Sequence, residues 1–182
     1  MNSLKRIILY DNHVKLGASM VDFGGWDMPI NYPSGIVNEH LNTRKKASIF
    51  DVSHMGRFEI SGKEAPEFLQ YVLTSNVYAL QYMRAHYTML ATESGGALDD
   101  AYLYRFYEDR YLLVVNASNL EKDWAHLSEE IKKFDAQLED KSGELAMIAV
   151  QGPESKTILE KLSDQKELAE LKKNSLGFLT FN

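Results

Sequence analysis

Two adjacent carboxylates, Asp99 and Asp100, stand just after a glycine pair, Gly95-Gly96. Neighbouring residues of a strand point to opposite faces, so one carboxylate meets solvent and the other the covered side of the sheet. A carboxylate on the covered side must be tightly hydrogen-bonded or functional, because an unpartnered buried charge is costly. The plainer reading is a pair that polarises a hairpin turn. Tyr87 lies on the strand leading into the glycine pair, and Asn116 ends a later one. A Tyr, an Asp and an Asn on one face of an antiparallel sheet would line a shallow site for a flat heterocycle. With 10 tyrosines in the chain, ordinary sheet surface is the competing reading. His54, in Ser53-His54-Met55-Gly56, is either a general base or a bonded structural residue. His13, His40, His54, His86 and His126 are scattered, with no metal-ligand spacing, so no metal site is expected.

These side chains need strands to position them. Residues 84–92 and 97–106 read as a hairpin about Ser94-Gly95-Gly96, and Arg110 to Asn116 as a third strand after the turn at Glu108-Asp109. Residues 118–133 give the clearest helix: Leu120, Trp124, Leu127, Ile131 and Phe134 recur at spacings of three and four. A second helix follows Ser61-Gly62-Lys63-Glu64, which has the pattern of a capping box, and presents Ala65, Phe68, Leu69, Val72 and Leu73 on one side. Phe50 to Ile60 reads as extended, and a weak strand is expected at 137–139. A strong strand at 144–150 is closed by Gly152-Pro153, with a helix to about Ser163. Upstream, a helix is expected at 4–18, a strand at 20–23, a turn region at 24–29 and a helix at 36–49. Downstream come a charged helical stretch to Lys173 and a terminal strand at 175–182. Residues 57–150 thus alternate as an α+β fold, an antiparallel sheet with flanking helices. A chain ending on an apolar strand offers an unpaired edge, which suggests a fragment of something longer.

The 182 residues suffice for one sizeable domain or two small ones. The net charge of −6 argues against nucleic acid or an anionic membrane as partner. The absence of cysteine excludes disulfides, thiolate catalysis and cysteine-based zinc sites. No signal peptide or run of ~20 apolar residues is visible, so a cytoplasmic protein is expected. Neither glycine pair fits dinucleotide or Walker spacing, and there is no Gly-x-Ser-x-Gly elbow.

Five segments, in order, carry a resemblance that covers the chain to about residue 153. They run from Leu16 to Pro29 (LGASMVDFGGWDMP), Phe50 to Gly56 (FDVSHMG), Gly95 to Asp100 (GGALDD), Leu113 to Asp123 (LVVNASNLEKD) and Leu145 to Pro153 (LAMIAVQGP). Together they resemble the N-terminal half of the aminomethyltransferases, the T proteins of the glycine cleavage system. The resemblance implies transfer of a methylene from an aminomethyl group, carried on the lipoyl arm of a partner H protein, to tetrahydrofolate with release of ammonia. It implies that Asp100 is the essential carboxylate beside the reacting pterin nitrogens. Met55, Tyr87, Val114 and Asn116 would line the folate, and Asp99 would be the structural neighbour on the opposite face.

For the fold, the resemblance implies a discontinuous folate-binding domain in residues 1–52 and 142–182, the latter truncated. Residues 53–141 would form an inserted, ferredoxin-like antiparallel subdomain. The family continues past this length with an Arg-Thr-Gly-Tyr-Thr-Gly-Glu stretch and a C-terminal barrel domain, both absent here. Two other readings stay open: a related folate-dependent demethylase, and a non-catalytic folate-binding or assembly module.

Overall fold

The computed structural model describes residues 3–163, 168 and 171–180. The chain divides into two compact units. The first comprises the described residues of Met1–His54, Gly143–Glu170 and Phe178–Asn182; the second those of Met55–Ser142 and Leu171–Gly177.

The first unit opens with β1 (Lys5–Arg6), α1 (Tyr10–Lys15), β2 (Ser19–Phe23) and β3 (Trp26–Asn31), followed by α2 (Ile36–Lys45) and β4 (Ser48–Asp51). β3 is the middle strand of a small sheet, parallel to β1 and antiparallel to β2. Gly24 and Gly25 both hold positive φ in the β2–β3 turn, where the Gly25 amide donates to Asp22 Oδ1 at 2.9 Å. The expected helix at 4–18 is therefore reduced to six residues behind a short strand. The expected turn at 24–29 is a two-residue turn followed directly by a strand. Pro29 is compatible with that strand because β1 reaches only Trp26 and Asp27, so no neighbour on that side needs the missing N–H. The helix expected at 36–49 stops at Lys45, since Ser48–Asp51 is taken up in pairing.

The second unit runs β5 (Gly56–Ser61), α3 (Ala65–Val72), β6 (Arg84–Ala91), β7 (Ala97–Tyr107), β8 (Arg110–Val115), α4 (Leu120–Glu130) with a 3-10 turn over Ile131–Lys133, and β9 (Gln137–Asp140). The sheet order is β6-β7-β8-β5-β9, antiparallel throughout. Without β6 this is the order of a ferredoxin-like split βαβ arrangement, and β6 is an added edge strand. α3 and α4 cover one face. Ala65, Phe68, Leu69 and Val72 of α3 are all buried, as their spacing requires. They meet Phe58, Leu103, Leu113 and Leu127 in one core, and Trp124 packs edge-on against Phe58 at 5.1 Å. Burial of each such side chain contributes about 1.5–3 kcal/mol. The predicted capping box does not form. Ser61 is the last residue of β5, Glu64 occupies the N-cap without a side-chain cap bond, and its carboxylate accepts from the Asp135 amide at 2.6 Å.

The chain re-enters the first unit with β10 (Ile148–Gln151), antiparallel to β4, and α5 (Ser155–Leu162). β10 is shorter than the strand expected at 144–150. The helical stretch expected to Lys173 falls largely outside the described residues. In place of the expected terminal strand, Ser175 makes a single bridge to Arg84, while residues 176–180 have no strand structure. Residues 174–176 cap the outer edge of β6: the Ala85 amide donates to Asn174 O and the Leu176 amide to Met83 O, each at 2.9 Å.

Candidate functional site

Strand register settles which side chains share the face of the five-stranded sheet opposite α3 and α4. Tyr87 stands opposite Tyr102, Tyr102 opposite Val114, and Val114 opposite Arg57, giving one row across β6, β7, β8 and β5. Asp100, opposite Met89, lies two residues along β7 on the same face. Tyr87 is 54% exposed and Asp100 is exposed, whereas Val114 is only 4% exposed. The row thus runs from a wet aromatic end to the buried Val114 and Arg57. Tyr102 tilts against Tyr104 and donates its hydroxyl to Asn174 Oδ1 at 2.8 Å, which anchors the ring. Tyr87 is held above the usual phenol range by loss of hydration and by the neighbouring Asp100 carboxylate. Met55 immediately precedes β5, and its carbonyl accepts from Arg57 Nη1; Arg57 Nη2 reaches Ser142 O.

Asp99 faces the other way and is 7% exposed. Its Oδ2 accepts from the Asn116 amide at 3.1 Å, and its Oδ1 from Asn116 Nδ2 at 3.0 Å and Asn119 Nδ2 at 2.6 Å. Asn116 Nδ2 also reaches Asp100 Oδ1 at 2.9 Å and Asp100 O at 3.1 Å, so one amide bridges both carboxylates. Burial would push Asp99 up, but hydrogen bonds from Asn116, Asp123 and Asn119 hold it below the usual carboxylate range. Asp123, on α4, has no solvent exposure. Burial first, then the Asp99 carboxylate, push it up to about 7, with Lys122 opposing. Its oxygens have no partner of ordinary hydrogen-bond length and angle.

Residues 9–182 match the GCVT N-terminal domain. The chain belongs to that family. It is 44% identical over 171 residues to an aminomethyltransferase from Desulfitobacterium hafniense, covering 94% of this chain and 46% of the relative. A second aminomethyltransferase, from Thermus thermophilus, is 47% identical over 173 residues, covering 95% and 49%. The crystal structure of glycine cleavage system aminomethyltransferase T from Bartonella henselae superposes with a TM-score of 0.80 at 38% identity, over 97% of this chain and 46% of that one. The chain spans about half the length of the curated relatives it matches.

Within this GCVT N-terminal domain, the sheet brings Tyr87, Asp100 and Val114 onto one face, with Asn116 turned to bridge Asp100 and Asp99. His54 does not join them; it meets the Phe23 ring edge-on at 5.6 Å. Among the described residues, no group of three or more His, Asp or Glu could hold a metal ion, and no helix is long and apolar enough to cross a membrane. The first unit has a separate feature, a cavity of about 490 Å³ lined in part by Tyr32, Glu39 and Asp51. With its proton on Nε2, His13 donates to Asp51 at 2.9 Å and accepts from the Tyr32 hydroxyl at 2.7 Å. Burial, then Glu39 and Asp51, raise the Tyr32 phenol, so it is no activated nucleophile. Sequence reasoning missed Asn119 and Asp123. The signal for Asp123 was present: it falls three residues after Leu120 and four before Leu127, on the buried stripe of α4 where a carboxylate is out of place.

Proposed function

We propose that this chain supplies the tetrahydrofolate-facing part of an aminomethyltransferase of the glycine cleavage system, a cytoplasmic enzyme of one-carbon metabolism and glycine catabolism. The observation that carries the reading is an exposed Asp100, held by Asn116, beside the row of Tyr87, Tyr102 and Val114 on one sheet face, in a chain 44–47% identical to aminomethyltransferases. Residues 1–52 and 142–182 are read as two parts of one folate-binding domain and 53–141 as its insertion. The two compact units support that division except at Leu171–Gly177, which join the second unit.

The face fits a flat heterocycle with ring nitrogens. Tyr87 and Met55 offer contact surface, Val114 an apolar floor, and Asn116 an oriented amide. Tetrahydrofolate supplies the two nitrogens that accept the methylene. As the carbon–nitrogen bond of the lipoyl-bound aminomethyl group breaks, ammonia leaves. One nitrogen takes the carbon as ammonia leaves, the carbon–sulfur bond breaks as the second nitrogen–carbon bond forms, and the two N–H protons of the accepting nitrogens end on ammonia and on the carrier thiol. Asp100 contributes a negative charge where positive charge gathers on the accepting nitrogens, and its carboxylate can take a proton from them. Asn116 holds that carboxylate in one orientation, which lowers the reorganisation needed at the moment of transfer. The lipoyl-bearing H protein is the proposed donor partner.

Calorimetric titration of tetrahydrofolate into the 182-residue chain, beside Asp100→Asn, tests the reading. Saturable binding weakened about tenfold by the substitution, or ~1.4 kcal/mol, is expected. A folded chain that takes up no tetrahydrofolate, or binds it equally well with Asn at 100, would overturn it.

A further inference from the structure

We infer that Asp99, with the buried Asp123 behind it, is a positioning residue for Asp100, acting through the Asn116 amide. The inference rests on the reading of Asp100 as the working carboxylate.

Asp99 holds Asn116 at two points. Its Oδ2 takes the Asn116 backbone N–H and its Oδ1 takes the Asn116 side-chain NH2, so main chain and side chain are locked together. An amide NH2 has two protons, and here they serve Asp99 Oδ1, Asp100 Oδ1 and Asp100 O. The flipped amide would aim its carbonyl oxygen at two carboxylates, so the orientation is fixed by charge. Asn119 is fixed in the same sense: its Oδ1 accepts from Lys122 Nζ at 3.0 Å, which leaves its NH2 for Asp99 at 2.6 Å. Lys122 Nζ also donates to Leu98 O at 2.7 Å, tying α4 to the strand residue before Asp99. Asn116 and Asn119 converge on the Asp99 carboxylate, and Asn116 links it to Asp100 on the exposed face.

Asp123 sets the state of this assembly. It has no exposure to water, and the ionisable groups acting on it are Asp99 from β7 and Lys122 from its own helix. While protonated it leaves Asp99 the only negative charge in the buried cluster. Once ionised, it places a second carboxylate against the first, with Lys122 as the sole counter-charge named there, and Asp99 must move or rehydrate. The grip on Asn116 therefore holds on the acid side of Asp123's titration and loosens on the alkaline side. A purely structural pair would change global stability without changing the Asn116 amide selectively.

The test is NMR on the isotope-labelled 182-residue chain, without folate, following the Asn116 side-chain NH2 and its exchange with solvent from pH 5 to 9. In the parent chain the Asn116 NH2 signals are expected to shift with a midpoint near about 7. Asp123→Asn should abolish that step and keep the acid-side spectrum. Asp99→Asn should speed Asn116 side-chain exchange about tenfold while core amides such as Leu103 and Leu113 keep their protection. The inference is overturned if the step is missing from the parent chain or survives in Asp123→Asn. It is equally overturned if exchange in Asp99→Asn stays within about twofold of the parent. Should Asp99→Asn fail to fold, Asp123→Asn alone decides. Because no folate is present, failure here leaves the folate titration untouched, and failure of that titration leaves this result standing.

Discussion

A carboxyl group pushed up to about 7 in the folded chain acts on stability in a set direction. Asp123 would ionise near its ordinary value of 3.8 once unfolded, so the unfolded state gives up a proton that the folded state keeps. Stability is therefore fullest below about pH 4 as far as this group is concerned, falls as pH rises to about 7, and stays reduced above it. Asp99 has the opposite sign: its folded value is lowered, so its contribution is present above the ordinary carboxylate range and is lost as pH falls through the folded value. We predict that Asp123→Asn has a higher urea midpoint than the parent at pH 8 and that the gap closes towards pH 5. An equal gap at both values would remove Asp123 as the titrating group. At this scale the sequence was informative where one rule sufficed. Strand alternation alone separates Asp99 from Asp100. It could not say which of them faced the helices, because that depends on the register of β6, β7 and β8. Asp123 hid in a helix whose apolar spacing was so regular that its one misplaced carboxylate passed unread.

Elements were legible where their periodicity was local and misread where long-range pairing decided. The hairpin β6–β7, the strand β8 and the helix α4 follow from glycine placement and apolar spacing, and the structure has them within two residues, except that the last turn expected of the helix, Ile131–Lys133, is 3-10. The N-terminal segment was misread because β1 and β4 exist by pairing with distant partners, which no window of sequence displays. Gly152 illustrates a constraint of this kind. It has φ of +125°, and a Cβ there would lie 2.3 Å from Lys46 O and 2.7 Å from Thr43 O, at the end of α2. The turn between β10 and α5 is pressed onto that backbone, where the Glu154 amide donates to Lys46 O at 3.0 Å. Gly152→Ala should cost about 3 kcal/mol, from backbone strain plus overpacking, seen as a lower urea midpoint with the slope unchanged. A loss under ~1 kcal/mol would mean this approach is not a fixed part of the fold.

The two units of the molecule are unequally furnished. The buried core cluster, from Phe58 to Leu127, lies entirely in the second unit. In the first, Ile7 and Met28 are buried while Val37 and Ile49 are 70% and 73% exposed. Local stability follows buried apolar contact, so amide hydrogen exchange should show strong protection in β5, β7 and β8 and weak protection in β2, β4 and β10. Equal protection across both units would contradict this account. Composition and charge carry no information on how apolar residues are shared between units. Arg57 lends the second unit one more property. Its guanidinium holds the carbonyls of Met55 and Ser142, and β5 and β9 are paired neighbours. The run from Met55 to Ser142 thus begins and ends at one fastened gateway, much as a nucleic-acid stem closes the loop above it. What lies above such a stem can be lengthened, trimmed or exchanged over generations while its host sees the same two ends at the same separation.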